Sequence, residues 1–322
     1  MANKIKISKN DLKILEALKS NGRASLREIA KITKSSPAAI HKKIKRWMTV
    51  GFIERFTVDI NWELLGRNYM AYISIQTDFK SEKQTPKDYD ILITKILKMP
   101  QSKSVHLVTG RTDIIAKAWA KTSKELFEYI CKLRHIEGIG RTETYISIFN
   151  TTTGEQNSSK KINHDKTHLE VLKSLQENCR QSLREIANRI NISHTKVQQC
   201  LKELIDSNII KRFTLKLNHK VIGNTVEAII FVSLDYGILS EKNIDQSHII
   251  KEITAKRDVE YGSAVAGRID LILFAACKTI EHLDNLMIEI RSIKGVSRTE
   301  SMVAARSVRK DIDNMDVIFD LT

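Results

Sequence analysis

Basic side chains recur at helical spacing near the beginning of the chain. In the stretch HKKIKRW, Lys42, Lys45 and Arg46 lie one to four positions apart, and a helix brings residues three and four positions apart onto one face. Ammonium and guanidinium groups bind phosphate oxygens and donate hydrogen bonds to base edges. A charged helix face is also an ordinary solvated surface, so the neighbouring elements must decide between the two interpretations.

Two short turns carry a second set of residues that could bind a ligand. In GRTD (110–113), Gly110 can adopt positive φ and Asp113 can accept hydrogen bonds from turn amides. The forked guanidinium of Arg111 suits a carboxylate ligand. The corresponding residues of the second turn, GRID, are Gly267, Arg268 and Asp270. An ordinary tight turn between two strands explains the same residues, so both interpretations stay open.

These features occur twice because the chain repeats itself at an offset of 157 residues. SLREIA stands at 25–30 and again at 182–187, TGRTD falls on AGRID, and GIGRTET (138–144) falls on GVSRTES (295–301). Two copies of this length are too long for solenoid repeats and indicate two homologous units.

The repeat predicts a domain order. We expect two small helical domains, each followed by a mixed domain, with a polar linker between the copies and a tail at the end. The predicted boundaries are 1–60, 61–150, 151–163 for the linker, 164–217, 218–309 and 310–322 for the tail.

The composition limits the class of protein. The chain has 322 residues, 42% hydrophobic and 28% charged, which is typical of a globular protein. No apolar run approaches 18 residues and the N-terminus lacks a signal-like segment, so we expect a cytoplasmic protein with no membrane partner. The four scattered cysteines predict reduced, partly buried thiols.

The net charge of +15 is concentrated in two segments. Residues 1–60 carry 14 Lys/Arg against 5 Asp/Glu, and residues 158–217 carry 12 against 6. Residues 218–322 carry 13 against 16. Basic segments of this kind favour double-stranded DNA as a partner, because phosphate neutralisation releases counterions.

The first basic segment has the pattern of three short helices. Ser8 three residues before Asp11 suggests a cap, with Leu12, Leu15 and Leu18 as the buried stripe. Ser25 and Glu28 form a capping box, and Ser36 followed by Pro37 begins the third helix. Its predicted buried stripe is Ile40, Ile44 and Trp47, and Gly51 is expected to end it. The β-prone stretch FIERFTVDI follows as a wing or tether strand.

Three small helices with a basic third helix predict a helix-turn-helix, whose last helix enters the major groove. The second copy repeats the plan, with buried stripes at Leu169, Leu172 and Leu175 and at Val197, Leu201 and Leu204. The predicted DNA-binding residues are Arg23, Ser36, Ala38, His41, Lys42, Lys45 and Arg46 in the first copy and Thr195, Lys196, Gln198, Gln199 and Lys202 in the second.

The remainder of each copy alternates strands and helices in the order βαββαβ, as in a ferredoxin-like domain. The fold class is therefore α+β: a winged-type helix-turn-helix followed by a ferredoxin-like βαββαβ domain, with the pair repeated twice in tandem. Such a sheet has helices on one face only. We expect a back-to-back partner sheet on the other face, in a dimer or an intrachain pseudo-dimer.

A helix-turn-helix followed by a βαββαβ domain with GRTD or GRID and a closing GIGRTET resembles the Lrp/AsnC (feast/famine) transcription regulators. The resemblance implies DNA binding by the first domain, a small-molecule effector such as an amino acid at the second, and higher homo-oligomers. It adds Thr142, Thr144, Thr299 and Ser301 to the effector site formed by the two Gly-x-x-Asp turns. We expect no cofactor.

The architecture also resembles siroheme decarboxylases, an enzymatic alternative. The resemblance links that chemistry to histidine- and arginine-rich segments after the helix-turn-helix, and the one histidine in the matching segments here is His219. His164 and His168 have metal-ligand spacing but straddle a predicted helix start, so we expect no metal site and no enzyme.

The duplication bears directly on DNA recognition. Whether the two sheets pair within one chain or between chains is open from the sequence, and our hypothesis is pairing within one chain. The two third helices differ, with Lys42 in one and Gln199 at the shifted position in the other. The alternative to an asymmetric operator is a second helix-turn-helix domain that no longer binds DNA.

Overall fold

The computed structural model describes residues 7–78, 85–150 and 165–310. The predicted linker and all of the predicted tail except Lys310 lie outside the described residues. The described residues form two compact units. One contains both helical heads, residues 7–65 and 165–223, and the other contains both mixed domains, residues 66–78 with 85–150 and 224–310.

The first copy has the predicted order of elements. Its head consists of α1 (Lys9–Ser20), α2 (Leu26–Thr33), α3 (Pro37–Thr49) and β1 (Ile53–Ile60). Its mixed domain consists of β2 (Tyr69–Thr77), α4 (Pro86–Lys98), β3 (Ser102–Val108), β4 (Ile114–Ala120), α5 (Ser123–Arg134) and β5 (Ile139–Asn150).

The second copy repeats this order with one additional helix. Its head consists of α6 (Lys166–Glu177), α7 (Leu183–Ile190), α8 (His194–Asp206) and β6 (Ile210–Leu217), followed by a 3₁₀ turn at His219–Ile222. Its mixed domain consists of β7 (Val226–Leu234), α9 (Tyr236–Glu241), α10 (Gln246–Thr254), β8 (Val259–Ala266), β9 (Leu271–Cys277), α11 (Ile280–Arg291) and β10 (Val296–Arg309). No sequence pattern indicated α9, a short helix capped by Asp235.

The helix starts follow from local side-chain chemistry. The Ser25 hydroxyl accepts a hydrogen bond from the Glu28 amide at 3.2 Å while the Glu28 carboxylate accepts from the Ser25 amide at 2.7 Å. The capping box at Ser182 repeats this geometry. These reciprocal bonds use backbone donors that the first helical turn leaves unpaired. The repeated hexapeptide is therefore a repeated helix start.

The predicted buried stripes are confirmed with one exception. Ile40, Ile44 and Trp47 are buried in α3. In α1 the prediction for Leu12 was wrong, because Leu12 is 43% exposed and Ile14 is buried beside Leu15 and Leu18. The buried positions of α1 are thus spaced i, i+1 and i+4, a stripe that also fits the helical period.

The two heads are joined by a pair of exchanged strands. β1 and β6 form an antiparallel ribbon, with Thr57 opposite Thr214. β1 packs against α6 of the other head, and β6 packs against α1. The Cys179 amide donates to the Phe56 carbonyl at 2.9 Å, and the Gly22 amide donates to the Phe213 carbonyl at 2.8 Å. The heads therefore share one hydrophobic core.

The second unit is a closed barrel of eight strands in the order β10-β3-β4-β2-β5-β8-β9-β7. The sheet of each copy supplies four neighbouring strands, and the copies join where β5 pairs with β8 and β10 pairs with β3. Apolar side chains from both sheets fill the space between them, including Tyr72, Tyr145 and Phe274. The expected partner sheet thus comes from the same chain. The two sheets pack face to face, and their edge strands are also hydrogen-bonded to each other.

We expect Gly22→Ala to destabilise the unit that contains the heads. A Cβ at Gly22 would lie 2.5 Å from the carbonyl oxygen of Thr214 in β6, and backbone cannot move away as a side chain can. Overpacking of this kind costs about 1–3 kcal/mol. The measurement is urea unfolding followed by tryptophan fluorescence in a Trp119→Phe background, which leaves Trp47 and Trp62 as reporters in the heads.

Gly51→Ala is the control for backbone strain alone. Gly51 has φ +72°, and no atom lies within 4 Å of the position that an added Cβ would take, so its replacement costs about 1–2 kcal/mol through backbone strain alone. A Gly22→Ala protein as stable as the wild type would contradict the close approach of β6 to Gly22.

Candidate nucleic-acid interface and ligand cavity

The third helix of each head presents the residues predicted to contact DNA. In α3, the N-cap Ser36 accepts a hydrogen bond from the Ala39 amide at 3.2 Å, and Pro37 occupies the first turn. The exposed side chains that follow are Ala38, His41, Lys42, Lys45 and Arg46. Lys43 instead pairs with the carboxylate of Asp11 in α1. This arrangement fixes α3 on α1 and leaves a basic outer face.

The equivalent face of α8 has a different charge. α3 contains four Lys/Arg and no acidic residue, whereas α8 contains two Lys and two acidic residues. Thr195, Gln198, Gln199 and Lys202 are exposed, and Lys196 is half-buried. The second head therefore offers the amide of Gln199 where the first offers the ammonium group of Lys42, and Gln198 where the first has His41.

Arg23 does not belong to this face, contrary to the prediction. Its Nε donates a hydrogen bond to the carbonyl oxygen of Cys179 at 2.5 Å, and its guanidinium lies 4.5 Å from the ring centroid of Phe213. Arg180 makes the reciprocal contacts, with the Gly22 carbonyl at 2.7 Å and the Phe56 ring at 4.1 Å. Burial lowers the pKa of both guanidinium groups. These two arginines join the heads to each other.

The two Gly-x-x-Asp turns have the positive φ expected of their glycines. Gly110 has φ +126° and Gly267 has φ +154°. A Cβ at Gly267 would also lie 2.8 Å from the Tyr145 ring, so this position requires glycine for space as well as for conformation. Burial, with a lesser contribution from Glu143, raises the pKa of Tyr145 to about 12, so its hydroxyl is a neutral group beside the turn.

The aspartates of these turns hold the neighbouring strand rather than their own turn amides. Asp113 Oδ2 accepts from the Thr77 amide at 2.7 Å and from the Thr77 hydroxyl at 3.0 Å. Asp270 Oδ2 accepts from the Leu234 amide at 2.7 Å. The prediction of turn-amide contacts was therefore wrong, because the ends of β2 and β7 lie beside the turns and present backbone donors there.

A cavity of about 90 Å³ lies in the barrel unit where the two copies meet. Arg111 faces Glu300 at 3.7 Å, and Arg268 faces Glu143 at 3.7 Å. The two ion pairs are equivalent under the 157-residue offset. The lining residues are Ser74, Gln76, Arg111, Thr112, Arg141, Glu143, Phe231, Arg268, Glu300 and Met302.

The hydroxyls predicted for this site lie on the other face of their strands. Arg141 and Glu143 line the cavity, so Thr142, between them, faces away and accepts a hydrogen bond from Arg134 of α5 at 2.7 Å. Thr144, Thr299 and Ser301 likewise alternate with inward-facing residues and do not line the cavity. Successive strand residues point to opposite faces, so a one-residue difference moves a side chain from one face to the other.

Glu143 and Glu300 are the site residues that the sequence analysis missed. A signal for them was present, since both stand within the repeated closing motif and alternate with the predicted threonines. The direction of the alternation was not evident from the sequence. The pairing of β2 with β5 has an irregularity between Ile139 and Arg141, and one extra residue in a strand reverses the alternation that follows it.

The described part of the chain shows neither a metal-binding cluster nor a membrane-spanning helix. Among the described residues, no group of three or more His, Cys, Asp or Glu is arranged to hold a metal ion. His168 instead hydrogen-bonds Asp165 and Glu203, and His164 lies outside the described residues. The described helices include none with the length and apolar character needed to span a membrane. The described cysteines are free thiols, three of them buried.

Comparison with known proteins identifies both modules in both copies. The profile of the winged helix-turn-helix DNA-binding domain matches residues 7–53 and 164–211. The profile of the Lrp/AsnC ligand binding domain matches residues 71–155 and 227–312.

Some similar proteins match one copy of this chain, and one solved structure matches nearly all of it. The HTH-type transcriptional regulator FL11 of Pyrococcus furiosus is 38% identical over 136 residues, which is 42% of this chain and 85% of that protein. FL11 of Pyrococcus horikoshii is 32% identical over 143 residues, 44% of this chain and 90% of that protein. The crystal structure of the siroheme decarboxylase NirDL has a TM-score of 0.65 over 96% of each chain, with 13% identity, a likeness of fold alone.

The two profiles, the named regulators and the fold agree with one another. Each copy carries a helix-turn-helix and an Lrp/AsnC ligand binding domain, and the curated relatives match about one copy each. The chain belongs to the Lrp/AsnC family of DNA-binding transcription regulators, as a tandem duplication of the family's two-domain unit.

Proposed function

We propose that this regulator recognises an asymmetric operator with the two different heads of one chain, and that a small carboxylate such as an amino acid modulates it. The exchanged ribbon of β1 and β6 supports the first part. Because the two heads share one core, α3 and α8 belong to a single folded unit. Helix-turn-helix dimers with identical heads recognise palindromes, and these heads are not identical.

The chemistry of the two helices defines the two half-sites. Lys42 favours phosphate or guanine, whereas Gln199 can make a bidentate contact with adenine. Lys45 and Lys202 occupy equivalent positions and suit phosphate contacts in both half-sites.

The cavity between the copies supports the second part. Its three arginines outnumber its two glutamates, so it has a net positive charge. The side chains of Arg111 and Arg268 are 50% and 66% exposed, and exposed ion pairs contribute only about 0–1 kcal/mol. An incoming carboxylate can therefore replace Glu300 or Glu143 as the partner of an arginine at little cost.

Association of several chains is also part of the proposal. The family resemblance supports higher homo-oligomers, and the outer helices of the barrel unit carry exposed apolar side chains such as Phe127 and Ile288. An association of chains through these helices would remove such side chains from water.

We expect DNA binding to weaken steeply with salt and to depend on Lys42 and Lys45. The double change Lys42→Ala and Lys45→Ala removes two cations from the exposed face of α3, so affinity falls on most sequences alike and the salt slope decreases by roughly two. Fluorescence anisotropy with labelled duplexes measures the affinity and the salt slope. The useful range is about 50 to 200 mM salt, where phosphate-dominated binding loses orders of magnitude in affinity. Lys95→Ala with Lys98→Ala on α4 of the barrel unit is the control and leaves the slope unchanged. If the Lys95/Lys98 variant lost as much affinity and salt dependence as the Lys42/Lys45 variant, α3 would not be the DNA-binding surface.

We expect selection from a random DNA pool to recover an operator whose half-sites are neither identical nor complementary. The same selection with Gln198→Ala and Gln199→Ala then alters one half-site and leaves the other. Recovery of perfect inverted repeats would mean that like heads pair across chains. An unaltered motif would mean that the second head does not contribute to recognition.

We expect amino acids or related carboxylates to raise the melting temperature, and Arg111→Ala with Arg268→Ala to abolish that shift. Glu143→Gln with Glu300→Gln removes the competing carboxylates and therefore strengthens the response. Arg257→Ala with Arg291→Ala, exposed arginines outside the cavity, is the control. A thermal-shift screen measures all three, and a ligand response that persists in the Arg111/Arg268 variant would move the site elsewhere.

A further inference from the structure

A chain of hydrogen bonds connects the base of the second head to the exposed face of α8. Asp165, the N-cap of α6, contacts His168 Nδ1 through its Oδ1 at 2.7 Å. His168 Nε2 lies 2.7 Å from Oε2 of Glu203. Oε1 of Glu203 accepts a hydrogen bond from Nε2 of Gln199 at 2.9 Å. The buried imidazole thus holds the carboxylate, and the carboxylate holds the amide of Gln199.

The first head has no equivalent of this chain. At the shifted positions stand Ser8, Asp11, Arg46 and Lys42. There the Asp11 carboxylate caps α1 and pairs with Lys43, whose own equivalent in α8 is Cys200. Lys42 and Arg46 are both cations and cannot hydrogen-bond each other as an amide and a carboxylate do. The chain from Asp165 to Gln199 therefore distinguishes the second head from the first.

The chemistry of Glu203 fixes the orientation of the Gln199 amide. An ionised carboxylate only accepts hydrogen bonds, so it must face the NH₂ group of Gln199 and not its carbonyl. The hydrogen bonds from His168 and Gln199 lower the pKa of Glu203, which keeps it ionised around neutral pH. One N–H and the carbonyl oxygen of Gln199 remain free to contact DNA. This is the pair of groups that matches N7 and the N6 amino group of adenine.

We propose that Glu203 is a positioning residue which orients Gln199 for adenine in the half-site of the second head. The inference rests on the proposed recognition of DNA by both heads. Guanine presents two acceptors in the major groove, at N7 and O6, so the carbonyl of an amide held in this orientation opposes it. Glu203 thereby contributes base preference although its negative charge lies on a helix that faces phosphates.

The test compares base preferences in selections from one random DNA pool with the full-length chain. The wild-type protein is expected to prefer adenine at one position by about tenfold over other bases, the order of magnitude for a bidentate contact. Glu203→Ala reduces that preference to about twofold at this position only, because Gln199 can then rotate. Glu203→Gln keeps one acceptor for Gln199 and retains most of the preference.

Asp206→Ala is the matched control, because Asp206 is an exposed carboxylate of the same helix. Its removal strengthens binding to all sequences without changing the motif, since one repulsive charge is lost. If Glu203→Ala behaves in the same way, Glu203 acts through its charge and the positioning role is wrong. If Gln198→Ala with Gln199→Ala also leaves the motif unchanged, the second head does not contribute to recognition, and the proposed asymmetric recognition fails along with this inference. Thermal unfolding of each variant confirms that the selected protein is folded. If the Glu203→Ala protein is not folded, the Glu203→Gln protein keeps the test decisive.

Discussion

Backbone pairing between the two copies is the constraint on which both units depend. β1 pairs with β6 in the heads, and β5 with β8 and β10 with β3 in the barrel. A sheet with helices on one face only must cover the other face and pair its edges, and closure into a barrel does both. The duplication allows one chain to supply both partners. The pairing therefore requires no association between molecules, and the two copies are held at a fixed stoichiometry.

One contact between the heads is the same in both copies, whereas the outer faces of their third helices differ. Arg23 and Arg180 make the same contact with carbonyl groups and an aromatic ring, each in the opposite head. The outer faces of α3 and α8 differ in charge and in hydrogen-bonding groups. The asymmetry that we propose for the operator follows from this difference between the outer faces.

The cavity in the barrel has a related origin. It lies where equivalent residues of the two copies meet, so each arginine is opposite the glutamate of the other copy. Neither copy alone contains a complete ion pair of this set. A ligand that replaces one glutamate would contact residues from both copies, and its binding energy would then depend on their relative arrangement.

The elements other than α9, their order and the family could be predicted from the sequence, because capping boxes, helical stripes and the 157-residue repeat are local or periodic signals. The same signals identified Lys42, Gln199 and Arg111 as exposed, chemically capable side chains. Three outcomes required the folded chain: Arg23 joins the heads, Asp113 holds a neighbouring strand, and Glu143 rather than Thr142 lines the cavity. Those outcomes depend on which strand lies beside a residue and on the direction of strand alternation. Both depend on long-range strand pairing, which no short stretch of sequence encodes.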